Sequence, residues 1–157
     1  MTTHPDAVLA LEAARAGAAA LQPYLRRQVA AERKDDGSPV TEADRASSRA
    51  TLAVLHARAG EDAVVSEEEA PPPGWAQARR RWFVDPLDGT REFVAGVPEY
   101  VVMVGLVVDD RPAVGALVDP NTGEAWVGVV GEGAWALTPD GASSPLRVAR
   151  REALAGA

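Results

Sequence analysis

Apolar positions recur along this chain with two different periods, and the change falls near residue 63. Upstream the spacing is helical. Val8, Leu11, Ala14, Ala18, Leu21, Leu25 and Val29 follow one another at steps of three and four, as one face of a helix requires. The pattern predicts a helix over residues 3 to about 31, with Thr3 as N-cap, Pro5 in the first turn and a kink or break at Pro23. Residues 34–39, Lys-Asp-Asp-Gly-Ser-Pro, form a turn-rich loop. A second helix is expected to start near Thr41. Ala43, Ala46, Ala50, Val54 and Ala57 give it an apolar stripe, and Gly60 is its stop.

Downstream, short β-like runs take over at 63–65, 81–84, 100–108, 113–119 and 124–130, with further short runs at 134–137 and 146–148. Asp109-Asp110-Arg111-Pro112 and Asn121-Thr122-Gly123 supply turns between them, and a proline-rich loop occupies 71–74. Two helices followed by many strands predict an α+β fold, with the two N-terminal helices packed on one face of an antiparallel β-meander. The 157 residues argue for a single domain over 1–157, long enough to bury about 70% of the surface its unfolded chain exposes. Gly128-Val-Val-Gly131-Glu-Gly133 resembles a nucleotide loop in composition only. It lies between two β-like runs and reads as a hairpin turn.

Composition narrows the chemistry. The net charge is −7, which weighs against a nucleic-acid polymer as partner, while a small phosphorylated substrate remains compatible if bound cations reverse the local field. There is no cysteine, so disulfides, zinc–thiolate sites and thiol nucleophiles are excluded. The two histidines stand alone and no Gly-x-Ser-x-Gly elbow accompanies them. No long apolar run suggests a membrane span or signal peptide, and a cytoplasmic protein is the expectation.

The most informative stretch is 82–93, Trp-Phe-Val-Asp-Pro-Leu-Asp-Gly-Thr-Arg-Glu-Phe. An apolar strand runs into Asp85 and Asp88, with a proline between them and Gly89-Thr90 behind. Pro86 stiffens the segment, Gly89 has access to left-handed backbone, and Thr90 can open a helix whose free N–H groups attract an anion. Asp44, in the first turn of the second helix, and Glu67-Glu68, at a strand end, are further acidic residues at element boundaries. Hard oxygen ligands converging at one sheet edge suit Mg²⁺. Each feature also has an ordinary reading. Thr41-Glu-Ala-Asp44 fits a capping box, Glu67 to Glu69 a solvated charge patch, and Asp85 to Gly89 a tight turn.

Taken together, these segments resemble the inositol monophosphatase superfamily of Mg²⁺-dependent phosphatases. Residues 85–93 match its Asp-Pro-(Leu/Ile)-Asp-Gly-Thr-x-x-Phe motif, 39–44 its Thr-x-x-Asp segment, and 66–68 its strand-end Glu-Glu. The wording of 34–41, 72–75 and 89–93 is most similar to the 3′(2′),5′-bisphosphate nucleotidase branch. The resemblance implies the first lobe of an αβαβα fold. It implies Glu67, Asp85 and the Leu87 carbonyl as ligands of one Mg²⁺, with Asp85 and Asp88 on a second. It implies Asp44 and Thr90 orienting the attacking water, with Glu67 or that pair taking its proton. Gly89, Thr90 and Arg91 would bind the substrate. Glu68 would support the metal ligands from behind. The family's second lobe supplies a Trp-Asp whose Asp binds the second metal, and none of Trp75, Trp82, Trp126 and Trp135 precedes an Asp here. The expectation is therefore an incomplete second metal site, an impaired or non-catalytic lobe, and a lobe face exposed for self-association.

Overall fold

The structure, a computed structural model, describes residues 2–25, 27, 29–34, 37 and 39–148. Asp35, Asp36 and Ser38 of the turn-rich loop lie outside the described residues, as do 149–157 at the end of the expected domain. Helix α1 (Pro5–Leu21) carries Pro5 in its first turn, where a missing N–H costs no hydrogen bond. Its N-cap is His4, not Thr3, and the His4 N–H donates to the Thr2 hydroxyl at 3.0 Å. The helix stops at Leu21 and does not run on to residue 31. Pro23 has no N–H to give the Ala19 carbonyl, which takes the Gln22 N–H at 3.2 Å instead, so Leu25 and Val29 reach the core from non-helical chain.

Strands β1 (Ala31–Arg33) and β2 (Pro39–Thr41) form a small antiparallel hairpin that the periodicity did not predict. Helix α2 (Glu42–Arg58) follows directly. The Thr41 hydroxyl accepts the N–H groups of Ala43 and Asp44, and the Asp44 carboxylate accepts the Thr41 N–H at 2.8 Å, a complete capping box. The buried face of α2 is not the alanine stripe. It consists of Ala43, Asp44, Ser47, Ser48, Thr51, Leu52 and Leu55, while Ala57 is exposed. The reason is close packing. Helix α1 meets α2 at Gly17, where a Cβ would stand 2.3 Å from Thr51 Oγ1 and 2.7 Å from Ser47 Oγ. Only small side chains fit there, and the Ser47 and Ser48 hydroxyls serve polar groups that alanines could not.

The sheet has seven strands in sequence order: β3 (Ala63–Ser66), β4 (Arg80–Asp88), β5 (Val101–Val108), β6 (Arg111–Val118), β7 (Ala125–Val129), β8 (Gly133–Leu137) and β9 (Ser143–Pro145). A short 3-10 helix (Trp75–Gln77) lies before β4, and helix α3 (Thr90–Ala95) joins β4 to β5. From β4 onward the meander is antiparallel as expected, and Gly131 lies in the β7–β8 hairpin. Two details differ. Strand β3 pairs parallel with β4, and the last strand is 143–145 instead of 146–148. Helices α1 and α2 pack on one face, over Trp82, Val84, Val102, Val104, Leu106, Val114, Ala116 and Val118. Because side chains alternate along a strand, Phe83, Asp85, Met103 and Leu117 turn to the other face, where they are half-buried.

The acidic motif sits at a break in this pairing. Asp85 stands opposite Met103, but Asp88 stands opposite Val101, so β4 carries one extra residue at Pro86-Leu87. Pro86 has no N–H to give the ladder, which makes a bulge the natural accommodation. The motif is thus the bulged end of β4 and not a turn beyond it. Gly89 then reverses the chain at φ 98°, with Glu99 O only 2.7 Å and Tyr100 Cβ 2.9 Å from where a Cβ would be. Both the backbone angle and the space demand glycine.

Candidate active site

Three chain segments meet at the bulge: the start of α2, the end of β3 and the end of β4. Asp44 is buried, and its two carboxylate oxygens do different work. Oδ2 accepts the Thr41 N–H at 2.8 Å and the Thr41 hydroxyl at 2.6 Å. Oδ1 accepts the Thr90 hydroxyl at 2.9 Å. The capping and water-orienting readings of Asp44 are therefore compatible in one side chain. Thr90 Oγ1 also lies 3.0 Å from the Leu87 carbonyl. It has one proton, and the carboxylate is the stronger acceptor, so its lone pairs remain available to another donor.

Asp85 is half-buried and accepts the Leu87 N–H at 3.1 Å. Burial raises its carboxyl to about 7, and the negative charges of Glu67 and Asp88 push the same way against the Leu87 bond. Glu67 and Asp85 are thus close neighbours, and Asp88, though exposed, lies near enough to act on Asp85. Lys34 lies against the same group. Its ammonium is 2.8 Å from Glu67 Oε1 and 2.7 Å from Glu68 Oε1. Burial pulls the Lys34 acidity one way, but its bonds to Glu67 and Glu68 outweigh it and raise the pKa. Glu68 is also raised, because its burial and the charges of Asp44 and Glu67 exceed the help from Lys34. The two directions are consistent: Lys34 faces two carboxylates, whereas Glu68 is nearly buried beside two other acids.

The donor set is all hard oxygen: the Glu67, Asp85 and Asp88 carboxylates and the Leu87 carbonyl, which keeps a second lone pair. Asp85 is held away from its ordinary acidity by burial first and then by the charges of Glu67 and Asp88, and a divalent cation would favour its ionised form against both. Among the described residues no three acidic or histidine side chains form a ready metal cage. Mg²⁺ does not need one, since it keeps waters and shares substrate oxygens. The residues fit the ion.

Gly89 and Thr90 open α3, whose start has no side-chain cap. Arg91 is exposed and lines an open cavity of about 510 Å³ with Arg33, Pro39 and Val94, whose lining includes none of the site carboxylates. Sequence reasoning left Lys34, Ser47 and Ser48 without roles. For the serines, the signal was their spacing of three and four from Asp44 on one helix face.

A helix-backed sheet with acids gathered at two strand ends and a hydroxyl held on a third carboxylate has the form of a phosphate-handling α+β lobe. The chain belongs to the inositol monophosphatase family, a family of phosphatases, whose family model matches residues 3–157. It is 39% identical over 133 residues to a histidinol-phosphatase of Chlorobaculum parvum, covering 83% of this chain and 50% of that protein. It is 42% identical over 118 residues to a Streptomyces griseus protein named glucose-1-phosphate thymidylyltransferase, covering 73% and 45%. The crystal structure of CysQ from Bacteroides thetaiotaomicron, an inositol monophosphatase family member, superposes with a TM-score of 0.72 at 28% identity, over 87% of this chain and 50% of that one. The chain spans about half the length of the curated relatives it matches. No helix among the described residues is long and apolar enough to cross a membrane.

Proposed function

We propose that this chain carries the metal-holding and water-orienting part of a Mg²⁺-dependent phosphomonoesterase acting on a small phosphorylated metabolite. The observation that carries the reading is the Thr90–Asp44 hydrogen bond beside the Asp85–Leu87 bulge, which joins a polarised hydroxyl to a cluster of hard oxygens. Glu67, Asp85 and the Leu87 carbonyl would hold one Mg²⁺, and Asp85 with Asp88 a second. The ion would make water more acidic and offset phosphate charge. Thr90, fixed by Asp44, accepts a hydrogen bond from the attacking water and aims it. Glu67 takes up the proton. Gly89, Thr90 and the next N–H groups cradle the phosphate, and Arg91 meets the rest of the substrate.

A 3′(2′),5′-bisphosphate nucleotide is the substrate we favour. The Gly-Thr-Arg-Glu-Phe wording at 89–93 and the similarity to CysQ, named as a 3′(2′),5′-bisphosphate nucleotidase in other bacteria, support it. We assign the reaction to the cytoplasm, which suits a chain without cysteine. Copies of the chain associate through the open sheet face in this reading. A second reading, a lobe that binds metal through Asp85 and Asp88 without catalysis, is favoured by the ion pair of Lys34 with Glu67, which engages the proposed proton acceptor.

The test is phosphate release from adenosine 3′,5′-bisphosphate with Mg²⁺, comparing the chain with Asp88→Asn. Release that falls about a hundredfold in the variant, the usual scale for losing one transition-state stabiliser, supports the phosphatase. Release indifferent to the substitution supports the second reading.

A further inference from the structure

We infer that Ser47 is a positioning residue of the metal site: its buried hydroxyl holds the Pro86 carbonyl and so sets where the Asp85 carboxylate and the Leu87 carbonyl stand. The inference rests on the Mg²⁺ reading above and deepens it. Ser47 Oγ donates to Pro86 O at 2.7 Å, with both residues fully buried. That bond falls where the strand has least of its own. Between Asp85 and Asp88 the β4–β5 register slips, and Pro86 has no N–H to offer. The peptide carrying two candidate metal ligands therefore needs an anchor from outside the sheet.

Helix α2 supplies it from the face that also presents Asp44. Residues 44, 47 and 48 lie three and four apart and point together. Each ties down a different segment. Asp44 holds Thr90, Ser47 holds Pro86, and Ser48 pairs with Ser66 at 3.1 Å, one residue before Glu67. Both strand ends bearing ligands are thereby referred to a single helix turn. Hydroxyls mid-helix often bond back to their own helix. Ser47 and Ser48 instead bond outward, to the segments that carry the acids.

Thr51 provides an internal control. It is buried on the same face one turn on, and its hydroxyl has no hydrogen-bond partner among the described residues. Mg²⁺ is titrated calorimetrically into the full chain, Ser47→Ala and Thr51→Val, and metal-free thermal stability is measured for each. Partners that orient metal ligands are typically worth about 10- to 100-fold in affinity. We expect Ser47→Ala to weaken Mg²⁺ binding by about tenfold or more, with Thr51→Val at wild-type affinity whatever its stability. Equal affinity in Ser47→Ala, or equal weakening in both variants, overturns the inference while leaving the Mg²⁺ reading intact. A wild-type chain that gives no Mg²⁺ heat overturns that reading and this inference with it. If Ser47→Ala unfolds, Ser47→Cys keeps the volume with a weaker donor. Weaker Mg²⁺ binding there supports the inference, and wild-type affinity there overturns it.

Discussion

Burial and the charge of Glu67 hold the Asp85 carboxyl near pH 7, and this gives the site a proton competitor for its cation. In the metal-free chain the folded-state pKa lies above the ordinary 3.8. The stability linked to this group is thus present below that value and is lost as pH rises through about 7. A cation binds the deprotonated form, so its affinity runs the opposite way. Calorimetry is expected to show Mg²⁺ binding about tenfold weaker at pH 6 than at pH 8, and the Mg²⁺-induced rise in melting temperature to be larger at pH 8. Affinity independent of pH across that window would remove Asp85 from the ligand set. Most of the acidic residues were legible in the sequence because each sits beside a breaker or a cap: Asp85 before Pro86, Asp88 before Gly89, Asp44 after Thr41. Lys34 had no such marker, since its partners are 33 and 34 residues away.

Among the helices, α2 was read with its correct bounds but the wrong buried face. Its alanines suggested a buried stripe, yet the face inside holds Asp44, Ser47, Ser48 and Thr51. Hydropathy ranks these as surface residues. What overrides it is the demand of the helix start, a bulged strand and a strand end for hydrogen-bond partners at Asp44, Ser47 and Ser48, combined with a close helix crossing that excludes larger groups at Ser47 and Thr51. Gly17 measures that crossing. Alanine is favoured over glycine in a helix by about 1 kcal/mol. Overpacking a tight site costs about 1–3 kcal/mol. With Thr51 Oγ1 at 2.3 Å, Ser47 Oγ at 2.7 Å and Val102 Cγ1 at 3.1 Å from the added Cβ, the steric cost wins. Urea unfolding of Gly17→Ala is expected to show a net loss of stability, and a gain would mean that the helices move apart freely. The meander, by contrast, was legible nearly strand by strand, because its turns carry their own chemistry. The β1–β2 hairpin was not, since three-residue strands leave no period to read.

At the scale of the molecule, helices α1 and α2 cover one side of the sheet, and on the other Trp75 packs edge-on against Phe83. The α1–α2 layer covers the face of Trp82, Val102 and Val104, while Phe83, Met103 and Leu117 line an open hollow of about 280 Å³ on the other. Asp85 shares that hollow, so the candidate metal site lies at the border of this second face. Apolar surface of this kind favours association. Light scattering on the chain at tens of micromolar is expected to give a mass above that of a monomer, and Leu117→Glu to lower it. A monomer at every concentration would argue against self-association through this face.

Asp44 ties the start of α2 to the hydroxyl of Thr90 through one carboxylate. A mutation there is pleiotropic: it releases a helix cap and a polarised hydroxyl in one step. A descendant that abandoned the chemistry would still be selected to keep Asp44 until another residue could start the helix. The persistence of that aspartate in a lineage testifies to folding as much as to turnover, whereas the exposed Asp88, with no such second duty, is the more candid witness to activity.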